Sequence, residues 1–482
     1  MADWGSLRGY RVPQWFEDAK FGIFIHWGVY AVPAFVNEWY PRRMYLPGRR
    51  EFEHHRQLYG DHREFGYKDF IPLLTAEHFD ADAWIDLFKA AGAQYVVPVA
   101  EHHDGFAMYD CRFTEWNAVN MGPHRDVVGE LAAAARRQWM SFGVSYHRAE
   151  NWWFFNGGRR FPSDVQDARY AGLYGPAQSG ELPPNDLFLD EWLARVVDLV
   201  EKYEPRLVYF DEWIGQARFQ PYLQRFAAYY YNWAAVHERE VILNYKYDAF
   251  PEGAAVYDIE RGQCADLRVP YWQTDTALAL HAWGYVEGQT YKTAPAVVGD
   301  LVDIVSKNGG LLLNVGPRPD GQIPEAEQDL LRDIGRWLLV NGEAIYGTRP
   351  WTVFGEGPTQ IVAGDHSDTK RSPFTAEDIR FTTRNEQRYG RDEQLYAIVM
   401  QRPQDGRVRI RSLGRRTSAY TQDPFVVELL GHTGRLKCQV GQDAVSVALP
   451  PAGGVGEDYP IVLRFTRYRR DGASTQKPWN AG

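Results

Sequence analysis

The sequence has little of what would mark a secreted mini-protein or a membrane protein. Its 482 residues include only three cysteines, Cys111, Cys264 and Cys438, and none of them is in a CxxC pair or at metal-ligand spacing. A complete internal set of disulfides is therefore excluded, while one bridge with one free thiol stays open. No run approaches 18 apolar residues, so we predict no transmembrane helix and no membrane partner.

The chain also lacks an excess of positive charge. Lys and Arg number 53 against 63 for Asp and Glu, a net charge of −10, which argues against nucleic acid as a partner. The first 22 residues are charged and hold no apolar core of signal-peptide length. The sequence as given therefore predicts a cytoplasmic protein, or a periplasmic or secreted one if a signal has been removed.

Several catalytic motifs are missing as well. There is no GxSxG, no HExxH or HxH, and no glycine-rich phosphate loop after the first predicted strand. The adjacent pair His102 and His103 would point to opposite faces of a strand, which weakens a metal hypothesis. We therefore predict no metal site, and the missing phosphate loop argues against a bound dinucleotide.

Aromatic residues, by contrast, are abundant. Trp, Tyr and Phe make up 15% of the chain. One interpretation is a large core built from large side chains. The other is a site that grips the apolar faces of a polar ligand, because a ring offers contact area at low entropic cost.

Short apolar runs alternate with amphipathic segments over the first two thirds of the chain. The runs at 21–27, 94–100, 141–146, 207–211, 241–245, 255–260 and 311–315 predict strands, and helices are predicted at 79–92, 125–140, 190–203, 219–239 and from about 324. This order predicts an α/β fold, a (β/α)₈-like (TIM-type) catalytic barrel over residues 1–346.

The pattern changes near residue 347. Short alternating runs at 394–400, 407–410, 425–430, 444–449 and 461–466 predict a C-terminal antiparallel β-sandwich over residues 347–482. The polar stretch 367–378 is expected to be a loop.

Polar residues follow six of the apolar runs. They are His26, Glu101–Asp104, Tyr146–Arg148, Asp211–Trp213, Asn244–Lys246 and Glu260–Gly262. Each could be a helix cap or a satisfied buried group. Together they predict a site for a polar ligand, because the C-terminal ends of barrel strands meet at one mouth.

Two carboxylates would suffice for chemistry at such a mouth. Glycoside hydrolysis needs one ionised carboxylate and one protonated carboxyl group. Asp211 and Glu260 end different strands and form a plausible pair. Four other glutamates cannot be eliminated by spacing, namely Glu38, Glu101, Glu212 and Glu252.

Long blocks of the sequence resemble the α-L-fucosidases of glycoside hydrolase family 29. The blocks are residues 15–45 (WFEDAKFGIFIHWG…), 100–131 (AEHHDGFAMYD…), 271–285 (YWQTDTALALHAWGY) and 301–351 (LVDIVSKNGGLLLNVGPRPDG…). The resemblance implies a catalytic barrel followed by a β-sandwich. It also implies a retaining exo-α-L-fucosidase, free of cofactors, that acts on fucosylated glycans.

The resemblance also implies roles for individual residues. The nucleophile would be Asp211 in LVYFDEW, and the acid/base would be Glu260 in YDIERGQ, with Glu252 second. The implied sugar contacts are His26, Glu38, Trp39, His102 and His103, together with Tyr146, Trp213 and Lys246. Many members have Arg where this chain has Lys246, and Lys lacks the planar fork of Arg.

Alternatives remain. One is a catalytically silent fucose-binding protein on the same scaffold, and another is a barrel glycosidase for a related sugar such as galactose. Linkage specificity would reside in the rim loops at 47–67 and 152–184, which could hold acceptor subsites or simply cover the barrel. A homo-oligomer is compatible with the sequence.

Overall fold

The computed structural model describes residues 2–179, 182–370, 372–384, 393–451 and 458–467. Its first sheet is a closed barrel of eight parallel strands in chain order, each paired with the next and β8 with β1. The strands are β1 Phe21–Ile25, β2 Tyr95–Glu101, β3 Ser141–Tyr146, β4 Leu207–Phe210, β5 Ile242–Lys246, β6 Val256–Glu260, β7 Trp272–Ala277 and β8 Gly309–Val315. The predicted (β/α)₈-like barrel is thus confirmed.

Eleven α-helices lie in the described residues. They are α1 Trp4–Leu7, α2 Gln14–Ala19, α3 Tyr40–Arg43, α4 Arg50–Leu58, α5 Ala81–Ala90, α6 Val127–Arg137, α7 Ala171–Tyr174, α8 Asp186–Tyr203, α9 Gln220–Val236, α10 Ala294–Ser306 and α11 Glu325–Asn341. Side chains of Asp80, Asp126 and Asn185 cap α5, α6 and α8 by accepting backbone N–H groups of their first turns.

The two predicted rim loops are not free of regular structure. Residues 47–67 contain α4, and residues 152–184 contain α7 and several short 3₁₀ turns. None of the helices in the described residues is long and apolar enough to cross a bilayer.

Aromatic and aliphatic side chains fill the lower half of the barrel. Phe16 of α2 enters from the N-terminal ends of the strands and packs against Phe24, Tyr95, Tyr209 and Leu312 in one buried cluster. The strand ends at the opposite face carry the polar side chains. The apolar filling therefore leaves the C-terminal mouth as the place for a polar site.

The C-terminal part forms two antiparallel sheets. The strands are β9 Arg349–Glu356, β10 Ile379–Arg384, β11 Glu393–Val399, β12 Arg407–Ile410, β13 Phe425–Leu429, β14 Cys438–Val440, β15 Val445–Ala448 and β16 Ile461–Arg467. Five form a sheet in the order β13-β16-β11-β10-β9, and three form a sheet in the order β12-β15-β14. Side chains of both sheets share one buried core, which confirms the β-sandwich.

The chain divides into two compact units that interleave in sequence. The first consists of Met1–Val297, Asn308–Leu338 and Ile361–Arg371, and the second of Val298–Lys307, Leu339–Gln360 and Ser372–Gly482. A domain boundary near residue 347 stays a prediction. One short stretch after β9 nevertheless groups with the barrel, and part of α10 groups with the sandwich.

Candidate active site

One cavity opens at the C-terminal ends of the barrel strands. It is lined by His26, Glu38, Trp39, His102, His103, His147, Asp211, Glu212, Lys246, Glu260, Asp275 and Trp283. These side chains come from the ends of seven strands or from the loops that follow them. Eight of the ten predicted site residues are among them.

Lys246, at the end of β5, connects the carboxylates of the cavity. Its Nζ lies 3.0 Å from Asp211 Oδ1, 2.6 Å from Glu260 Oε2 and 3.6 Å from Asp275 Oδ2. Burial alone would lower the pKa of Lys246, but the charges of Asp211, Asp275 and Glu260 raise that pKa well above its usual value. Lys246 is therefore a fixed positive charge at the centre of the site.

Asp211 is held in its ionised form. Burial alone would raise its pKa, but the charge of Lys246 and the contact with His147 hold the pKa of Asp211 well below its usual range. The two distances from Lys246 also limit the gap between Asp211 Oδ1 and Glu260 Oε2 to their sum, about 5.6 Å. Retaining glycosidases place their two carboxyl groups about 5–5.5 Å apart.

His147 orients the second oxygen of Asp211. Its Nδ1 lies 2.9 Å from Asp211 Oδ2, while its Nε2 lies 2.5 Å from the hydroxyl of Ser145. We assign the hydroxyl as the donor to Nε2, which places the imidazole proton on Nδ1, the nitrogen beside the carboxylate. The contacts of the His147 ring with Ser145 on one side and Asp211 on the other thus favour one tautomer of His147.

Three further histidines face the same cavity. Burial is the main cause that lowers the pKa of His26 and His102 well below the usual value, and it lowers that of His103 to about 4. All three are therefore neutral near pH 7. Asn314 donates to the Trp283 carbonyl at 2.7 Å and accepts from His26 Nδ1 at 2.7 Å, so His26 Nε2 is left as an acceptor.

His102 Nδ1 is buried and makes no hydrogen bond in the structure, and His103 Nδ1 donates to the His147 carbonyl at 3.0 Å. Neutral imidazoles that offer unpaired nitrogens suit the hydroxyl groups of a sugar, which both donate and accept.

Glu38 and two tryptophans form one wall. Oε2 of Glu38 accepts the backbone N–H of Trp283 at 2.8 Å, and burial raises the pKa of Glu38. The Trp283 ring stacks on His26 at a centroid distance of 5.1 Å, and the Trp39 ring lies 5.2 Å from His103. Aromatic faces and a polar edge thus meet in the space that a sugar ring would fill.

A buried acidic pair lies beneath Lys246. Asp258 of β6 and Asp275 of β7 both accept from the Tyr209 hydroxyl, at 3.2 and 2.8 Å. Burial raises the pKa of both carboxyl groups. This pair and Gln273 fill the barrel interior with hydrogen-bonded polar groups where other layers are apolar.

The chain turns sharply after three of the site residues. Trp213, Tyr247 and Arg261 have φ angles of 73°, 55° and 45°, in the left-handed region that non-glycine residues rarely adopt. They follow Asp211, Lys246 and Glu260 within two residues. Such conformations cost free energy and persist where the surroundings fix them, often at functional sites.

Two predicted contacts are not part of the cavity lining. Side chains alternate along a strand, and on β3 the Ser145 side chain lies on the same side as His147, while the Tyr146 hydroxyl donates to the Trp192 carbonyl of α8 at 3.1 Å. His147, and not Tyr146, therefore lines the cavity at the end of β3, and a sugar contact of Tyr146 stays a prediction. Trp213 lies outside the lining, 6.1 Å from the Trp153 ring.

The sequence interpretation did not assign roles to His147, Asp275 and Trp283. His147 follows an apolar run as one of the polar residues 146–148, and the other two lie in the block YWQTDTALALHAWGY that resembles the family. Both sequence features could have pointed to these three residues. Glu212 was an open competitor; burial and the neighbouring Asp211 raise its pKa to about 7.

By spacing, two trios in the described residues could hold a metal ion. They are His26, His102 and His147, and His103, His147 and Asp211, with ligand atoms within 4.8 Å of one another. Most of these side chains already have protein partners, among them Asn314, Ser145 and Lys246. The expectation that the site works without a metal stays a prediction.

The chain is similar to known proteins over most of its length. The family model described as Alpha-L-fucosidase matches residues 1–343. The tissue alpha-L-fucosidases of Rattus norvegicus and Homo sapiens are 31% and 30% identical over 96% of this chain, and over 92% and 91% of their own lengths.

Solved structures give the same result. The alpha-fucosidase of Thermotoga maritima is 30% identical, with a TM-score of 0.75 over 96% of this chain and 99% of that one. Its complex with fucose is 29% identical with a TM-score of 0.73, again over 96% of this chain and 99% of that one.

Proposed function

This chain belongs to the α-L-fucosidase family, and on that premise we propose that it is a retaining exo-α-L-fucosidase in which Asp211 is the nucleophile and Glu260 the acid/base. It is a glycoside hydrolase, and its substrate class is the terminal α-L-fucosyl group of a glycan. The observation that carries the residue assignment is Lys246, because its contacts keep the two carboxyl groups within about 5.6 Å.

Fucose would lie in the cavity with its hydroxyl groups toward the neutral histidines and Glu38. Its methyl group and apolar ring edge would lie against Trp39 or Trp283. Asp211 attacks the anomeric carbon while Glu260 protonates the leaving oxygen, which gives a covalent fucosyl-enzyme. Glu260 then takes a proton from the water that hydrolyses this ester.

Lys246 couples the two steps electrostatically. In the free enzyme its charge is shared among Asp211, Glu260 and Asp275. Once Asp211 is an ester it carries no charge, so more of the field of Lys246 acts on Glu260. In the second step, where Glu260 acts as the base, the charge of Lys246 is thus shared between Glu260 and Asp275 alone.

The stereochemistry of the first product tests the mechanism. A proton NMR time course with 4-nitrophenyl α-L-fucoside should show α-fucose before β-fucose. Early β-fucose would overturn the nucleophile assignment. Absence of turnover on fucosides, with fucose still bound, would favour the silent binding protein, and preference for a D-galactoside would favour the related glycosidase.

Two substitutions test the residue assignments. Asp211→Gly should lose activity, and added azide should restore part of it by forming β-fucosyl azide, since one inversion replaces two. Glu260→Ala should slow substrates with poor leaving groups by about 10²–10⁴-fold and leave activated aryl fucosides far less affected. Equal losses on both substrate types would point to another acid.

A further inference from the structure

A short stretch of the chain beyond the barrel strands returns to the end of β6. We call residues 361–370 the return segment. It follows β9 in sequence, yet it belongs to the same compact unit as the barrel. It meets the turn that carries Glu260, the proposed acid/base.

The return segment holds the backbone of Glu260 on both sides. Oδ1 of Asp365 accepts the Glu260 N–H at 2.8 Å, and the Glu260 carbonyl accepts the N–H of His366 at 2.8 Å. The carbonyl of Arg261 accepts two further N–H groups, from Ser367 and Asp368, each at 2.8 Å. These bonds fix the backbone of Glu260 and of Arg261, and Arg261 has the left-handed φ of 45°.

Asp368 anchors the segment through buried charges. Its Oδ2 lies 2.6 Å from Lys292 Nζ and 3.6 Å from Arg261 Nη1, and it accepts from the Thr276 hydroxyl at 2.7 Å. The Asp368 side chain is only 7% exposed and that of Lys292 only 6%. Removal of one partner from such a buried pair leaves an uncompensated buried charge. Loss of the Asp368 carboxylate is therefore expected to weaken the attachment of the return segment.

The close approach also depends on a glycine. A Cβ on Gly262 would lie 1.9 Å from the Gly364 carbonyl oxygen. Gly262 is not among the residues with positive φ, so its role here is space rather than backbone freedom. A methyl group at residue 262 would therefore push the return segment away without changing any charge.

The side chain of Glu260 needs this external support. Its carboxylate is held by Lys246 alone among the contacts described for it, and Lys246 also serves Asp211 and Asp275. If the backbone at 260 shifted, the carboxyl group could follow Lys246 away from the leaving oxygen. A displacement of about 1 Å at a catalytic group can cost about 100-fold in rate.

We propose that the return segment is a positioning element for the acid/base, with Asp368 as its anchoring residue, and that it acts on proton transfer at the leaving oxygen rather than on Asp211. The inference rests on the proposed role of Glu260. It assigns a catalytic purpose to residues that follow the barrel in sequence and do not line the cavity.

The test uses the full-length protein and two substrates that differ in leaving group. Asp368→Asn should lower kcat/KM for methyl α-L-fucoside about tenfold or more, part of the 10²–10⁴ that a general acid supplies, and change that for 2,4-dinitrophenyl α-L-fucoside less than about threefold. Azide should accelerate the variant on the activated substrate and give α-fucosyl azide, because azide needs no base. A merely structural defect would lower kcat/KM for both substrates by the same factor, and azide would not accelerate the variant.

A second variant and a matched control complete the design. Gly262→Ala should reproduce the leaving-group pattern if Asp368→Asn fails to fold. The control is Asp198→Asn on α8, which removes a buried carboxylate that lies 2.6 Å from Arg112 and 3.8 Å from Lys202. This variant should change kcat/KM for the two substrates by the same factor or not at all.

Glu260→Ala separates two kinds of failure. If Glu260→Ala shows no leaving-group pattern, the acid/base assignment is wrong. If it does and neither Asp368→Asn nor Gly262→Ala follows it, the return segment has no positioning role and the inference is overturned.

Discussion

At the scale of single residues, Lys246 does more than contact a sugar. It binds three carboxylates, and its side chain is only 3% exposed. A lysine can do this as a point charge, whereas an arginine would direct planar pairs of donors. Lys246 is therefore the largest of the influences that keep the nucleophile ionised, ahead of His147.

Replacement of Lys246 should shift the pH profile in a defined direction. Its charge holds the pKa of Asp211 down, so in Lys246→Met the Asp211 pKa rises and the acid limb of kcat/KM moves to higher pH. Lys246→Arg keeps the charge and should keep the limb near its original place. The measurement is the pH dependence of kcat/KM with 2,4-dinitrophenyl α-L-fucoside, and an unmoved limb in Lys246→Met would contradict the assignment.

Residue-scale prediction from the sequence depended on register. Six of the eight predicted side chains in the cavity lining end or directly follow an apolar run, and the family resemblance implied the other two, Glu38 and Trp39, in the loop after β1. Tyr146 does not line the cavity, since a strand reverses its face at every residue and the inward position at this end belongs to His147. Neither the composition nor the periodicity of the sequence shows whether residue 146 or residue 147 faces the cavity.

At the scale of elements, the packing of α11 on the end of α5 leaves no room for a side chain. A Cβ on Gly335 would lie 1.9 Å from the Ala90 carbonyl oxygen. Gly335→Ala should therefore destabilise the protein by about 1–3 kcal/mol, although alanine is the better helix former by about 1 kcal/mol. Urea denaturation measures this, with Leu339→Ala on the exposed face as the control, expected within about 0.5 kcal/mol of wild type.

The first turn of α11 also carries a buried carboxyl group. Glu327 accepts the Gly316 N–H at 3.0 Å, and burial raises its pKa from 4.5 to about 8. The folded protein therefore binds this proton more tightly than the unfolded chain does. The stability from this group is complete below about pH 4.5 and is lost as the pH rises through about 8.

Glu327→Gln keeps the acceptor and removes the titration. The free energy of unfolding of the wild type, relative to this variant, should fall between about pH 4.5 and 8 with a slope of at most about 1.4 kcal/mol per pH unit. Denaturant titrations across this range measure the difference. Glu325→Gln, at an exposed residue of the same turn, is the matched control for the loss of one carboxyl group.

Element prediction from the sequence succeeded for most strands that form a short apolar run, and it missed five elements that lack such a run or a clear helical period. Seven barrel strands were predicted from apolar runs. β7 was missed because its inward residues are Gln273 and Asp275, which are buried by hydrogen bonds with Tyr95, Asp258 and Tyr209. The sandwich strands β9, β10 and β14 were missed too, and α10 was missed because its many apolar residues gave no helical periodicity that stood out from the neighbouring sequence.

At the scale of the whole molecule, the ion pairs of the described residues range from exposed to fully buried. Asp303 is fully buried in the second compact unit and lies 2.7 Å from Lys307 and 2.5 Å from Arg380. Surface pairs contribute little because water and salt screen them. Removal of one partner is therefore expected to cost far more in a buried pair than in an exposed one.

Asp303→Ala should be strongly destabilising. It leaves the guanidinium of Arg380 buried without this carboxylate, a change that costs about 3–5 kcal/mol in comparable cases. Differential scanning calorimetry should show a markedly lower Tm. Asp329→Ala removes an exposed pair with Arg332 and should leave the Tm unchanged; equal shifts in the two variants would refute the distinction.

The return segment has a consequence for how this architecture can be recombined. All cavity-lining side chains come from the chain before residue 284. A gene fragment that ends just after α11 would therefore encode every one of them. It would also leave Lys292 without Asp368 and Glu260 without Asp365. An exchange of C-terminal domains between relatives must therefore carry residues 361–370 together with the barrel they serve.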